Sequence, residues 1–330
     1  MNAFRIGATF AFAFAALSTN RYAASASVGP ISLTDVSRLI DQIRHASTVE
    51  VAAYELSPWS DMTKALTAAA DRGASVDVVV GGGAFGQAKD DNVATLTALS
   101  YHGCILDNGA NNLTLAKCRL HITPNPQHVK VAVVDGEVYV SDRNFTAHTR
   151  SELVVHDQLP GDRLVFERAV LGDAGGNEHL WTTKRDALAA EGRMLFDRRS
   201  REVRTETESF GPGTSVYRGL LARARAGDRV RLIVSRVEYN NSSAERHAVA
   251  DLRNVGADVR VGRSNEKMTV DGDNVWMGST NATAALPDQI DWGMMFRDAS
   301  LASKLSSQFD RNWDDAQPVC TGTLQLSRCD

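Results

Sequence analysis

The chain has 330 residues, 43% hydrophobic and 23% charged, with a formal net charge of -4. That size allows one large domain or two of ordinary size, each with a real core, and the composition excludes a disordered or collagen-like chain. An acidic balance excludes a general electrostatic pull toward nucleic acid or anionic lipid, while leaving room for a local basic pocket.

Residues 1–26 read as a secretory signal: Arg5, the apolar run IGATFAFAFAAL, then small residues at Ala24, Ser25 and Ala26. The run is short for a bilayer span and no other run is long enough, so a soluble exported chain is expected. Its removal deletes Arg5 and Arg21 and no acids, which takes the charge to -6. In a first half (27–181), VEVAAYEL (49–56) reads as a strand and DMTKALTAAADRG (61–73) as a helix stopped by glycine. SVDVVV (75–80) is a further strand, and DNVATLTALSYHG (91–103) a second helix, followed by CILD.

Residues 182–213 are charged and helix-prone, then turn-rich, and read as a connector with Arg198, Arg199, Arg201 and Arg204 on a solvated face. The second half (214–330) repeats the order of the first: TSVYRGLLARARAG (214–227) as helix, DRVRLIVS (228–235) as strand, AERHAVADLRNVG (244–256) as helix, ADVRVG (257–262) as strand. The expected fold class is therefore α/β, two similar halves, each a mixed sheet flanked by helices. The first half is longer by about 16 residues (103 to 128 against 256 to 265), and Cys104 and Cys118 bracket that insertion. Cys320 and Cys329 bracket the tail. Local pairing, 104 with 118 and 320 with 329, suits an oxidising compartment, although four cysteines allow three pairings. No CxxC spacing points to zinc.

The chemistry sits in a stretch that follows each set of elements. QHVKVAVVDGEVYVSDRN (127–144) puts His128 and Lys130 two apart, on one side of a strand. Asp135-Gly136 signals a hairpin, and the returning strand brings Asn144 back to the same end. SNEKMTVDGDNVWMGSTN (264–281) repeats the pattern with Lys267, Asp271, Ser279 and Asn281, and with Asn265 where a histidine would stand. The set suits a phosphodiester. Two lysines and two asparagines can hold nonbridging oxygens, a neutral histidine can attack phosphorus, and a further group must protonate the leaving oxygen. Cations of the protein take the place of a metal, so neither a metal nor a cofactor is expected.

Each residue also has an ordinary use. His128 can be a surface histidine, the lysines can guard sheet edges, and the asparagines can serve turns. Asp135 and Asp271 precede glycine, so a structural role is at least as strong as a chemical one. VVVGGGAFG (78–86) fits the G-x-G-x-x-G of dinucleotide-binding loops. That reading leaves the repeat and the His-Lys strand unexplained; a loop passing close to the end of the sheet is the better use of these glycines.

The paired motifs resemble the phospholipase D superfamily, whose mark is H-x-K-x(4)-D followed by G-S-x-N, twice per active site. His128, Lys130 and Asp135 match the first part in full, Ser141-Asp142-Arg143-Asn144 stands for the second, and GSTN (278–281) is intact. Three residues rather than four separate Lys267 from Asp271. LSSQFDRNW (305–313) is similar to the end of the family's second module, and the resemblance covers most of the chain after residue 26. It implies His128 as nucleophile with Lys130 and Asp135, and Glu152 orienting a catalytic histidine, with Asp291 as its counterpart. It further implies Asn144, Lys267, Ser279 and Asn281 on the phosphate, and Asp271 as the second-motif acid. The site would lie between the halves, so a monomer suffices.

The implied reaction is hydrolysis or transphosphatidylation of a phosphodiester through a phosphohistidine on His128. Phospholipid is the favoured substrate, with peripheral membrane contact and no stable nucleic-acid complex. The alternatives are a phosphate-binding protein of the same fold that does not cleave, or an endonuclease of the superfamily. Asparagine is no acid at neutral pH, so Asn265 leaves the proton donor open; His121, His148 and His156 are candidates. Asn144-Phe-Thr and Asn281-Ala-Thr are glycosylation acceptors inside the suspected site, which makes bacterial secretion or a periplasm the expected location.

Overall fold

The computed structural model describes residues 31–84, 86–107, 116–123, 127–145, 154–263, 266–284 and 289–319. The expected signal at 1–26 lies outside the described residues, as do His148, Glu152, Asn265, Cys320 and Cys329.

The chain enters through strand β1 (Ile31–Thr34) and helix α1 (Val36–His45). Asp35 caps that helix by accepting the Arg38 amide at 2.9 Å. Runs of valine and alanine then form β2 (Thr48–Ala53) and β3 (Ser75–Gly81), parallel and buried, joined by α2 (Asp61–Asp71). After α3 (Gln87–Ser100), the strands β4 (Ile105–Leu106) and β5 (Cys118–Thr123) extend the parallel side. A disulfide between Cys104 and Cys118 closes the base of the insertion they bracket. Three antiparallel strands follow, β6 (Val131–Val134), β7 (Glu137–Ser141) and β8 (Val154–Asp157), and α4 (Asp162–Val170) ends the half. The turn from β6 to β7 is Asp135-Gly136, with φ of 48° and 87°, the doubly positive pair that matches strand twist.

The second half runs β9 (Leu180–Thr183), α5 (Lys184–Asp197), β10 (Glu202–Thr207), α6 (Ser215–Arg225), β11 (Arg229–Ser235), α7 (Arg236–Asn241) and α8 (Ser243–Asn254). It continues with β12 (Asp258–Gly262), β13 (Met268–Asp271), β14 (Asn274–Gly278), β15 (Ile290–Arg297), α9 (Ala299–Asp315) and β16 (Gln317–Pro318). The two mixed sheets have the orders β1-β8-β7-β6-β2-β3-β5-β4 and β9-β15-β14-β13-β10-β11-β12-β16. Written this way the first seven strands of each correspond one for one, the edge strands β4 (parallel, before β5) and β16 (antiparallel, after α9) do not, and α1, α2, α3 and α4 correspond to α5, α6, α8 and α9.

That correspondence corrects the expected connector. Residues 182–213 hold the end of β9, all of α5 and all of β10, which are the opening elements of the second repeat. The stretch reads as a linker because it is charged and turn-rich, but those charges are partnered rather than loose. Arg198 meets Asp228 at 2.7 Å, Arg204 meets Glu202 at 3.2 Å, and α5 buries Ala187, Leu188, Ala190, Met194 and Leu195 beneath them.

Val129, Val131 and Val155 of the first half share one buried cluster with Met268, Val270, Met277 and Trp292 of the second. Each large apolar side chain closed off there contributes roughly 1.5–3 kcal/mol, so the two sheets are held against each other. The backbone reinforces this: Gln127 bridges Ile290, the His128 amide donates to the Ile290 carbonyl at 2.7 Å, and the Trp292 indole donates to the Ser141 carbonyl at 3.0 Å. Gly81 and Gly82 let the end of β3 lie against this crossing. A Cβ at either would stand 2.8 Å from the Gln127 oxygen or 2.1 Å from that of Thr123. Among the described residues, no helix is long and apolar enough to cross a membrane.

Candidate active site

Beside this crossing, His128 precedes β6 and its ring is held from the opposite half. Nδ1 lies 2.8 Å from Oδ1 of Asp291 on β15. The same carboxylate accepts from the Ser279 hydroxyl at 2.7 Å and from the Gln289 amide at 2.8 Å, and it is closed to solvent. Burial pushes the Asp291 carboxyl up, but His128, the Lys130 charge and the Ser279 hydrogen bond outweigh it and hold it below the usual carboxylate value, ionised. An ionised acceptor fixes the hydrogen on Nδ1 and leaves the lone pair on Nε2. Burial first, then the charge of Lys130, lower the imidazole pKa below its usual value. The ring is therefore neutral near pH 7 and able to act as a nucleophile. The Tyr54 ring lies against it, 5.3 Å between centroids.

Two buried lysines flank the histidine. Lys130 is 1% exposed and donates to the His128 carbonyl at 2.7 Å. Burial, reinforced by Lys267, pushes it down to about 7. Lys267 is 2% exposed; it crosses to the first half to donate to the Asp142 carbonyl at 3.2 Å and meets Glu208 at 3.1 Å. A third, Lys184, donates to the Thr283 hydroxyl at 3.0 Å, and burial lowers its pKa. Burying cations is expensive unless something else is gained, and a cluster of them beside a neutral histidine is the signature of an anion site.

Asn144 donates to Glu55 at 3.2 Å, while its amide oxygen and that of Asn281 are buried without a hydrogen-bond partner among the described residues. Buried polar atoms left open in this way are satisfied by a ligand or by water. The residues brought together are thus His128, Lys130, Lys267, Asn144 and Asn281.

Two expected site residues stand elsewhere, and a third is at the site in another role. Asp135 accepts the Ser47 and Thr48 amides at 2.9 and 2.8 Å, at the start of β2. The rise of a strand puts it about 16 Å beyond Lys130. Asp271 does the same for β10, accepting from the Arg199 and Ser200 amides at 3.0 and 2.9 Å and from the Arg223 guanidinium at 2.8 Å. Neither reaches the histidine, because a two-residue hairpin puts both at the far end of their strands; they anchor strand starts. Ser279, expected on the phosphate, is spent on Asp291. Of the described candidate proton donors, His121 is committed to Asp77 and Asp107, and His156 to Glu137 and the Tyr139 ring.

Register explains why Asp291 takes the orienting role expected of Glu152. The Ser141 amide donates to the Lys130 carbonyl, and the Gly278 amide to that of Lys267, so Ser141 and Gly278 correspond. Ser141 faces Val154, and Gly278 faces Gly293. Counting back two residues from each makes Glu152 the sequence counterpart of Asp291, and Asp291 serves the histidine of the other motif, His128. The segments that align on this count are SELVVHD (151–157) and IDWGMMF (290–296). The same correspondence pairs Asp142 with Ser279 and, through the bridges Leu56–Phe145 and Phe210–Ala282, Tyr54 with Glu208. Sequence reading missed Tyr54, Asp142, Lys184 and Glu208, which lie outside the two motif patterns or at their variable positions.

Comparison with known proteins bears on this geometry. Residues 195–313, from the end of α5 to α9, match the family described as cardiolipin synthase, PLD-like domain. No curated protein matches the chain. The crystal structure of phosphatidylserine synthase from Haemophilus influenzae Rd KW20 is similar over 88% of this chain and 87% of that one, with a TM-score of 0.62 at 12% identity. Polyphosphate kinase from Porphyromonas gingivalis is similar over 88% of this chain, with a TM-score of 0.61 at 15% identity, and this chain spans 48% of that kinase. Nuc from Salmonella typhimurium, a phospholipase D family member, matches over 40% of this chain and 90% of its own, with a TM-score of 0.36 at 16% identity. The first two likenesses extend over both halves and show a common fold.

Proposed function

We propose that the chain, whose residues 195–313 match a PLD-like domain, is a phosphodiesterase of the phospholipase D superfamily that cleaves its substrate through a covalent phosphohistidine on His128. The single observation that supports this most is the 2.8 Å bond from His128 Nδ1 to a buried, ionised Asp291 beside two buried lysines. Nε2 attacks phosphorus, and the bond to the leaving oxygen breaks. Lys130 and Lys267 stabilise the charge gathering on the nonbridging oxygens. Water or an alcohol then attacks the phosphohistidine, and the P–N bond breaks to return the neutral ring. Asp291 keeps Nδ1 protonated throughout, so Nε2 remains the reacting atom.

The substrate proposed is a phospholipid. The net charge of -4 disfavours a long nucleic acid. Trp59, 78% exposed in the loop that follows Tyr54 and Glu55, is an aromatic suited to a lipid interface. The Cys104–Cys118 disulfide fits an exported protein, secreted or periplasmic. Both halves of the site come from one chain, so the working unit is a monomer.

A protein that binds a phosphodiester without cleaving it is the second reading, carried by Asn265 in the second motif. Headgroup release from phosphatidylcholine and p-nitrophenol release from a bis-aryl phosphodiester, with and without chelator, separates the two. Turnover by the purified chain and none by His128→Ala supports cleavage. Binding without turnover on either substrate favours the second reading.

A further inference from the structure

We propose that Glu208 is the acid–base residue that replaces the missing second-motif histidine. The inference rests on the phosphodiesterase reading above and supplies the proton that reading leaves without a source.

Position argues first. A second-motif histidine would stand at 265, two residues before Lys267, and Glu208 lies beside that same lysine, its Oε2 3.1 Å from Nζ. It directly follows β10, where its carbonyl accepts the Ser235 amide at 3.3 Å. Its first-half counterpart is Tyr54, whose ring packs on His128, so this place in the repeat faces the reacting centre. Access argues second. Asp142 and Asp291 are sealed at 1% and 0% exposure, whereas the Glu208 side chain is 30% exposed and can meet a leaving group or a water.

The charges around Glu208 explain how it gains a proton at the right moment. Lys267, His128 and Lys130 face it as cations or potential cations, with Glu55 and Glu245 as like charges at greater remove. Burial pushes the carboxyl up, but those positive groups outweigh it and hold it at about 2. A diester anion seated on Lys267 takes over that compensation and adds a like charge, so Glu208 takes up a proton as substrate binds. In the first step His128 Nε2 forms the bond to phosphorus, the P–O bond breaks, and the Glu208 proton passes to the leaving oxygen. In the second step the Glu208 carboxylate takes a proton from the attacking water, whose oxygen bonds to phosphorus as the P–N bond breaks. Glu208 ends protonated, and the products are an alcohol and a phosphate monoester.

The test compares two diesters that leave the same phosphoryl group on His128, one expelling p-nitrophenolate and one expelling an alkyl alcohol. The first-turnover burst is followed for wild type, Glu208→Gln and Glu208→Ala. The alkyl leaving group needs a proton and the nitrophenolate does not. The expected result is a loss of about 10²–10³-fold with Glu208→Gln on the alkyl diester and of less than about tenfold on the nitrophenyl one. Formate should restore part of the alkyl rate to Glu208→Ala. Equal losses on both diesters, or no loss on either, overturn the assignment while leaving the phosphodiesterase reading intact. A wild-type chain that cleaves neither overturns both.

Discussion

Asp291 of the second half holds His128 of the first at 2.8 Å, while the amide of His128 donates to Ile290, the neighbour of that aspartate, at 2.7 Å. Backbone and side chain together fix the proposed nucleophile to the opposite sheet, so orientation of the ring depends on the halves being docked. Substitution at residue 291 therefore tests orientation without removing the reacting atom. Asp291→Asn offers the ring a donor and favours the wrong tautomer. The expected outcome is a fall in kcat of about 10²–10⁴-fold with KM within about threefold. Steady-state kinetics on a p-nitrophenyl diester decide it, and a variant with undiminished kcat would remove Asp291 from the account.

Lys130 sets the alkaline limb of activity. Burial and Lys267 push it down to about 7, from 10.5. Its charge, present below that pH and lost above it, is what holds an anionic diester. The account predicts that kcat/KM falls as pH rises through about 7, by up to about tenfold per pH unit, because this ratio reports the free enzyme. In Lys130→Met, kcat/KM should be low and flat across the same range. A wild-type profile flat from pH 6 to 9 would contradict it.

Much of this arrangement is legible in the sequence, and the parts that are not share a cause. The valine-rich strands, the glycine-stopped helices and the His128-x-Lys130 strand announce themselves through local periodicity. The carboxylate that holds His128 does not, because Asp291 meets it only through pairing between halves 163 residues apart. Glu208 and Tyr54 are hidden for the same reason: each is one residue at the end of a strand, and its meaning comes from which strand lies opposite. The family pattern read Asp135 and Asp271 as site acids, whereas hairpin geometry carries them to the other end of the sheet. The stretch 182–213 misled through composition, since a strand whose buried residues include Thr205 and Glu206 lacks the apolar alternation that marks a strand.

The two anchoring aspartates should separate stability from catalysis. Asp135→Ala removes three accepted hydrogen bonds at the start of β2 and is expected to cost about 1–3 kcal/mol with kcat within about threefold. Asp271→Ala also strips a partner from Arg223, which is 2% exposed, and is expected to cost roughly 3–5 kcal/mol. Urea unfolding beside kcat measurements checks both. A large loss of kcat in a fully folded Asp135→Ala would return that residue to the chemistry.

A buried glutamate makes stability fall with pH. Glu191 on α5 accepts from the Thr269 hydroxyl at 2.6 Å, and burial raises its carboxyl from 4.5 to about 8. A carboxyl raised in this way contributes stability that is fully present below 4.5 and lost as pH rises through about 8. Glu191→Gln keeps the acceptor and removes the titration. The variant is expected to outlast wild type at pH 8.5 by roughly 4–5 kcal/mol and to match it near pH 4.5. Urea unfolding at the two pH values checks this, and a parallel shift at both would show that titration is not the cause.

The most direct test of the central claim is to trap the covalent intermediate. Wild type and His128→Ala are mixed with a p-nitrophenyl diester, quenched under denaturing alkaline conditions that preserve phosphohistidine, digested and mapped by mass spectrometry. The account predicts a phosphoryl adduct on the peptide bearing His128, formed at the rate of the nitrophenol burst and absent from His128→Ala. An enzyme that turns over with no adduct on His128, and a His128→Ala variant that retains the burst, would contradict it.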